Sequence, residues 1–348
     1  MTDVYKRPAD YSALVPSAKR AKYDGVVAVV NEEQTGPRRH SNLQSQIMLL
    51  TGHEGEIYTA RFSTDGRFLA SAGFDMKILF WSTYGDCENF SSIKAHKGSI
   101  SDIQFSRDET TIYSSSTDKT VKAWDLETGK CLRNFKTHTE IVNACHPARR
   151  GPALVLSGGD DGMLHVHDMR KKEAAMSIAN FENFAVLGVS FNDTSDWAFG
   201  GGIDNTIHAW DLRKQERVFD LQGHTDSITG LSLSPKGEYL LSNSMDCTAR
   251  AWDVRPFAHQ DRLVGVYGGH QHNFEKNLLK CGWSGDGKWV TAGSSDRFSY
   301  VWDFKSKKIV YKLPGHQGSV NATDFHPVEP ILLSAGSDKQ IFLGELEP

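Results

Sequence analysis

Apolar and polar residues alternate in short runs along most of this chain. Ser227 to Ser234 alternates, Glu238 to Ser242 does so again, and Cys247 to Asp253 follows before the next hydrophobic stretch. A period of two is the mark of a strand with one face buried. Glycine-containing pairs separate the first two runs of a unit, among them Asp65-Gly66, Lys236-Gly237 and Asp286-Gly287. Glycine reaches positive φ there without a steric cost. The pattern predicts units of four short strands joined by tight turns.

These units recur. An Asp followed six residues later by Trp appears as Asp75 with Trp81, Asp118 with Trp124, Asp204 with Trp210, Asp246 with Trp252, and Asp296 with Trp302. Two degenerate copies, Asp161 with His167 and Asp338 with Gly344, keep the register. Successive Asp positions lie 43, 43, 43, 42, 50 and 42 residues apart. Seven copies at that period predict an all-β propeller of seven blades.

The units resemble WD40 repeats, in which a Gly-His pair precedes a Trp-Asp pair. Gly52-His53, Gly223-His224 and Gly315-His316 keep the first pair, and Ala95-His96 and Thr137-His138 relax it. The resemblance implies four-stranded blades around a channel. It also implies that Gln44 to Leu50 pairs with the last blade, closing the ring and removing exposed strand edges. The expected organisation is a polar and basic disordered tail over residues 1–42 and a propeller over 43–348.

Several units carry Ser, His and Asp together, the residue types of a nucleophilic triad. His53, Ser71, Asp75 and Trp81 form one set; His96, Ser114, Asp118 and Trp124 a second; His224, Ser242, Asp246 and Trp252 a third. A variant set has His138, Ser157 and Asp161 with His167 in the Trp place, and the last unit keeps His316, Ser334 and Asp338. A catalytic site is needed once, whereas a scaffold bond is needed in every blade. The expected arrangement is therefore structural, with Asp accepting from His, His bonded to Ser, and Ser meeting the indole N–H. The chain is not expected to be an enzyme, and no cofactor or metal is expected. His165 and His167 share a strand face, but no carboxylate or third His is recognisably placed beside them. Gly200 to Gly202 lacks the Lys-Ser/Thr of a phosphate loop and reads as a tight strand end.

The fourth and sixth units break the pattern. Gly200 and Ala292 stand in the Ser positions, and neither unit has a clean Gly-His pair, so these blades are expected to be held more by packing than by polar bonding. The wide spacing before Asp296 reads as an insertion over Arg255 to Phe274, whose Phe257, Tyr267 and Phe274 suit a binding loop.

Composition narrows the class. A net charge of −4 lacks the positive excess of a protein whose main partner is bare nucleic acid. The five cysteines are scattered, odd in number and never spaced as CxxC, which fits a reducing compartment. Val26 to Val30, the longest purely apolar run near the start, is too short for a signal segment or a membrane span. The tail holds a basic cluster, Lys19 to Lys22, of the kind read by nuclear import.

Segments outside the repeat consensus are more particular. Ala148 to Pro152, Asn192 to Asp196, Gly201 to Asn205, Trp252 to Phe257, His272 to Lys280 and Tyr311 to His316 resemble the WD40 subunits of the U5 small nuclear ribonucleoprotein of the spliceosome. That resemblance implies a nuclear, non-catalytic scaffold in pre-mRNA splicing. Its partners would be spliceosomal proteins, chiefly the large central U5 scaffold protein. RNA would be contacted indirectly at most, no membrane would be involved, and the chain would act as a monomer within a large complex. The family's geometry places one candidate protein-binding face at the first-strand entrances and just before each Asp: Glu56, Tyr58, Phe74, Ser101, Asn143, Ile203, Thr229, Met245 and Asn321. An alternative comes from Trp210 to Arg213 and Trp252 to Arg255, which match the WDxR pattern of substrate receptors of cullin–RING ubiquitin ligases. In that reading Arg213 and Arg255 contact the adaptor or brace their own blades.

Overall fold

A computed structural model describes residues 40–171, 173–179, 184–259 and 261–347. Most of the tail, including Lys19 to Lys22, lies outside the described residues. Among the described residues there are seven four-stranded antiparallel sheets and no helix. Blade one comprises Ile57–Phe62, Phe68–Gly73, Lys77–Ser82 and Asn89–Lys94, numbered outward from the axis, and blades two to six repeat this plan. The first strands neighbour one another around the axis, from Ile57–Phe62 through Val320–Phe325 and back. Blade seven takes its outer strand from the start of the domain. Ile47–Thr51 pairs antiparallel with Gln340–Glu345, from Ile47 opposite Gly344 to Thr51 opposite Gln340.

Each blade is sandwiched between two others, so both faces of its inner strands are apolar or small. The second strand of blade two, Thr111–Ser116, is buried at every position. Cores form between blades: Leu50, Ile57, Leu69 and Trp81 pack with Ile331, Leu333 and Leu343 across the closing interface. Each such side chain contributes about 1.5–3 kcal/mol by leaving water.

Two local irregularities repeat around the ring. In every blade the residue after the conserved Asp (Met76, Lys119, Gly162, Asn205, Cys247, Arg297 and Lys339) has a φ of 61–74°. In six blades the Asp fixes that turn by accepting the N–H two residues on, as Asp75 does from Lys77 and Asp246 from Thr248; among the described residues Asp204 of blade four shows no such bond. In six blades the first strand carries a bulge, at Tyr58, Ser101, Asn143, Leu187, Thr229 and Asn321. A bulge redirects its side chain, and at Ser101, Asn143, Thr229 and Asn321 it bonds toward the next blade.

We call the face on which each first strand begins the top; it also carries the turns between second and third strands. The other two sets of connections form the bottom face. The wide spacing before Asp296 is not one insertion. The strand Leu263–Gly268 runs through it, Tyr267 is fully buried in the core, and two separate loops result. Phe257 (100% exposed) lies on the bottom and Phe274 (91%) on the top, so the three aromatics do not form one binding loop. Gly202 ends a second strand where a Cβ would lie 1.9 Å from the Ala185 carbonyl oxygen, a close approach only glycine permits.

Candidate protein-interaction faces and the channel

The Ser, His and Asp side chains assemble within blades. In blade one His53 Nδ1 donates to Asp75 (2.7 Å), Ser71 bonds His53 Nε2 (2.6 Å), and the Trp81 indole donates to Ser71 (2.8 Å). Blades two and five repeat the chain at 2.7–3.0 Å through His96, Asp118, Ser114 and Trp124, and through His224, Asp246, Ser242 and Trp252. The direction of donation follows from the two ends, an indole that can only donate and a carboxylate that can only accept: Trp to Ser, Ser to His, His to Asp. Burial alone would raise the Asp118 and Asp246 carboxyls, but hydrogen bonds from His and Thr outweigh it and hold both well below the usual range. The serines are fully buried, so no substrate reaches their hydroxyls.

Blade three replaces the indole. Ser157 bonds His138 (2.8 Å) and His167 Nε2 (2.9 Å), so His167 acts as the N–H donor. Burial holds its pKa down at about 3, and Nδ1 is left as an unpartnered acceptor. A size exchange accompanies this. A Cβ on Gly52 would lie 2.9 Å from the Trp81 ring and one on Gly223 3.2 Å from that of Trp252, so the large indole fits beside the glycine of the Gly-His pair. Blade three has Thr137 at that place and the smaller His167 opposite. The same blade also supplies the third His and the carboxylate that the sequence had not revealed beside His165. Atoms of His138, Asp161 and His165 lie within 4.8 Å of one another. Asp161 and Ser157 already engage both His138 nitrogens, and His165 Nδ1 bonds Ser177 at 2.8 Å.

Blades four and six, expected from Gly200 and Ala292 to rely more on packing than on polar bonding, still make polar bonds at their Asp. Each supplies a polar aromatic four residues after its Asp. In blade four His208 bridges Asp204 (2.5 Å) and Asp220 (2.9 Å), and Arg217 pairs with Asp220. Burial opposes the imidazolium, yet the two carboxylates prevail and raise the His208 pKa. In blade six the Tyr300 hydroxyl donates to Asp296 (2.6 Å), and the Trp302 indole turns to the Gly268 carbonyl (3.0 Å). The sequence signal was a His and a Tyr at that offset in the two units lacking the usual His.

The nine candidate face residues separate. Asn143, Thr229 and Asn321 are buried bulge residues that donate to the first residue of the next inner strand or the residue leading into it: Val186 (3.0 Å), Leu279 (3.0 Å) and Ile57 (2.7 Å). Half-buried Ser101 bonds the Val142 carbonyl in the same way. These four join blades. Glu56, Phe74 (62% exposed) and Ile203 (48%) remain open on the top face, with Tyr58 and Met245 half-buried. Partial burial and the Glu56 carboxylate raise the Tyr58 pKa.

Comparison with known proteins places this geometry. The model of the WD domain, G-beta repeat, matches residues 44–82, 87–125, 129–168, 177–211, 215–253, 261–303 and 307–343. The chain belongs to the WD40-repeat family. Within it, the chain is 54% identical over 314 residues to the U5 small nuclear ribonucleoprotein 40 kDa protein of Homo sapiens, covering 90% of this chain and 87% of that one. It is 46% identical to the protein of that name in Dictyostelium discoideum (90% and 88% covered). To the pre-mRNA-splicing factor cwf17 of Schizosaccharomyces pombe it is 41% identical, over 89% of this chain and 90% of that one.

Two further features of this WD40 ring bear on partners. The WDxR arginines are engaged at home: Arg255 forks onto Asp253 (3.0 and 2.5 Å), and Arg213 meets Asp196 of its own blade at 2.7 Å. The channel is crossed by charge. Arg61 pairs with Asp324 (3.2 Å), and Lys280 of blade six faces Asp102 of blade two (3.7 Å). These charged positions in otherwise apolar first strands were legible in the sequence but were not singled out.

Proposed function

We propose that the chain is a non-catalytic protein-interaction scaffold of the U5 small nuclear ribonucleoprotein in pre-mRNA splicing. It acts in the nucleus and binds the particle's large central scaffold protein. The observation that carries this reading is identity of 54% and 41%, along nearly the whole propeller, to proteins named for that particle and for splicing. The geometry agrees with a passive platform. The groups that resemble catalytic machinery are buried and bonded within their blades, while apolar and acidic side chains such as Phe74, Ile203 and Glu56 stand open on a rigid ring. Affinity purification of the tagged full chain from nuclear extract, after nuclease treatment, tests the reading. Co-purification of the large U5 scaffold protein is the expected result. Recovery of a cullin and its adaptor without splicing proteins would replace it with the ligase-receptor reading.

A further inference from the structure

The bottom mouth of the channel is a pocket. Its volume is about 400 Å³, the Arg61–Asp324 pair forms part of its lining, and the Lys280–Asp102 pair lines the small space further into the channel. Beyond it lies space of only about 10 Å³, roughly one water molecule. Phe62, Phe105, Trp283 and Phe325 contribute aromatic walls, and Pro235 and Pro327 stand at the rim.

One cation in this pocket has an unusual placement. Arg149 of blade three reaches past blade four to blade five, donating to the carbonyls of Leu233 (2.8 Å) and Ser234 (2.7 Å). Its own carbonyl is held by Arg107 at 3.0 Å. Neighbouring Arg150 is paired with Asp193 at 2.8 Å and Arg61 with Asp324, but among the described residues no ion pair engages Arg149. Burial disfavours its charge and pulls its pKa down, although a guanidinium stays ionised in proteins. His146, also in the lining, is kept neutral by burial and by Arg149 and Arg61, at about 3. Arg61 and Arg149 against Asp324 leave the lining with one net positive charge.

We propose that this pocket receives an acidic side chain from a linear segment of a partner protein, with the carboxylate on Arg149 and an adjacent apolar residue against the aromatic walls. The assignment rests on the platform reading above and names the chemistry of one partner contact. A guanidinium carries five N–H donors, and the two carbonyl bonds leave others for a carboxylate. The volume suits a side chain or two and falls within the usual range for binding clefts. A basic segment would meet uncompensated charge. A nucleic-acid strand needs a track of cations with bases stacked along it, whereas this mouth offers one net positive charge, with Asp193 nearby as its only opposing influence among the described residues.

Selection of random dodecapeptides displayed on phage against the full chain, followed by anisotropy titration of the selected peptides, tests the proposal. The expected peptides carry Asp or Glu beside an apolar residue. Arg149→Gln weakens them about tenfold or more, and Leu132→Ser, on the exposed outer strand of blade two, leaves them unchanged. Because Arg149→Gln also removes two bonds between blades, Thr64→Trp provides a second test: it places a large ring at the exposed rim and should abolish binding. Peptides without acidic residues, or binding insensitive to both variants, overturn the proposal. So does saturable binding of a labelled oligouridine in place of peptides. If such a failure accompanies retention of splicing proteins in the nuclear purification, the pocket assignment falls alone. Loss of those proteins from the wild-type chain overturns the platform reading instead.

Discussion

Blades five and six stand side by side and meet the same requirement with different side chains. In blade five Asp246 accepts from His224 (2.8 Å), the Thr248 hydroxyl (2.6 Å) and the N–H groups of Thr225 and Thr248. In blade six Asp296 accepts from the Tyr300 hydroxyl (2.6 Å) and the Phe298 N–H (3.3 Å), with Lys312 at 3.5 Å. Both turns keep the following residue at positive φ, 61° for Cys247 and 74° for Arg297. In both blades the turn carries a carboxylate supplied with several donors. The identity of the donor is exchangeable, because a buried acceptor needs a donor and not a particular residue.

The largest difference should appear when the carboxylate is removed. Asp246→Ala strands a buried imidazole, a hydroxyl and two N–H groups, and should cost about 3–4 kcal/mol in urea denaturation. Asp296→Ala strands fewer groups and should cost about 2 kcal/mol. Equal losses would break the comparison, since they would mean that the turn, and not its donors, sets the energy. Removing a donor is milder. Tyr300→Phe keeps the ring against Trp302 but deletes the hydroxyl, and should cost about 1.5 kcal/mol by the same measurement. A loss within error would mean that Lys312 or water satisfies Asp296 unaided.

Legibility divides along the same line. The blades and their number could be read because an Asp and a Trp recur at a fixed offset and strand alternation surrounds them, and the resemblance to WD40 repeats implied the closing strand. His208 and Tyr300 do not stand out in the sequence, because regular blades place the partner His 22 residues before the Asp and not on the following strand. The candidate face was overdrawn for another reason. The family's geometry assigns Ser101, Asn143, Thr229 and Asn321 to an accessible rim, whereas a bulge, which no periodicity reveals, turns them toward the next blade. The strand Leu263–Gly268 was hidden inside an apparent insertion because two glycines weaken its pattern.

Blade four adds pH to the comparison. His208 lies between Asp204 and Asp220, and its pKa is raised above the ordinary 6.5. A base whose folded value exceeds its unfolded value contributes stability that is complete below the unfolded value and fades as pH rises through the folded one. The stability difference between wild type and His208→Gln should therefore be about 1 kcal/mol near pH 5.5–6 and shrink toward pH 8.5. A difference that is flat across that window would show that His208 acts as a neutral hydrogen-bonding ring.

Blade three gives the finest test, because two positions have changed together. Regular blades pair a Trp with the small residue before His, as Trp81 with Gly52 and Trp252 with Gly223, while blade three pairs His167 with Thr137. His167 is fully buried and stacked on Phe135 with ring centroids 4.5 Å apart, so the site has little slack. His167→Trp restores an indole donor to Ser157 but drives the larger ring toward Thr137, and overpacking of this kind costs about 1 kcal/mol or more. Thr137→Gly alone opens a gap beside His167 and should also destabilise. The double variant removes both faults, so the double-mutant cycle should show a favourable coupling of about 0.5–1 kcal/mol. Strict additivity would mean that the indole of the regular blades and the glycine beside it are independent choices, and that size exchange has no part in how blade three tolerates its histidine.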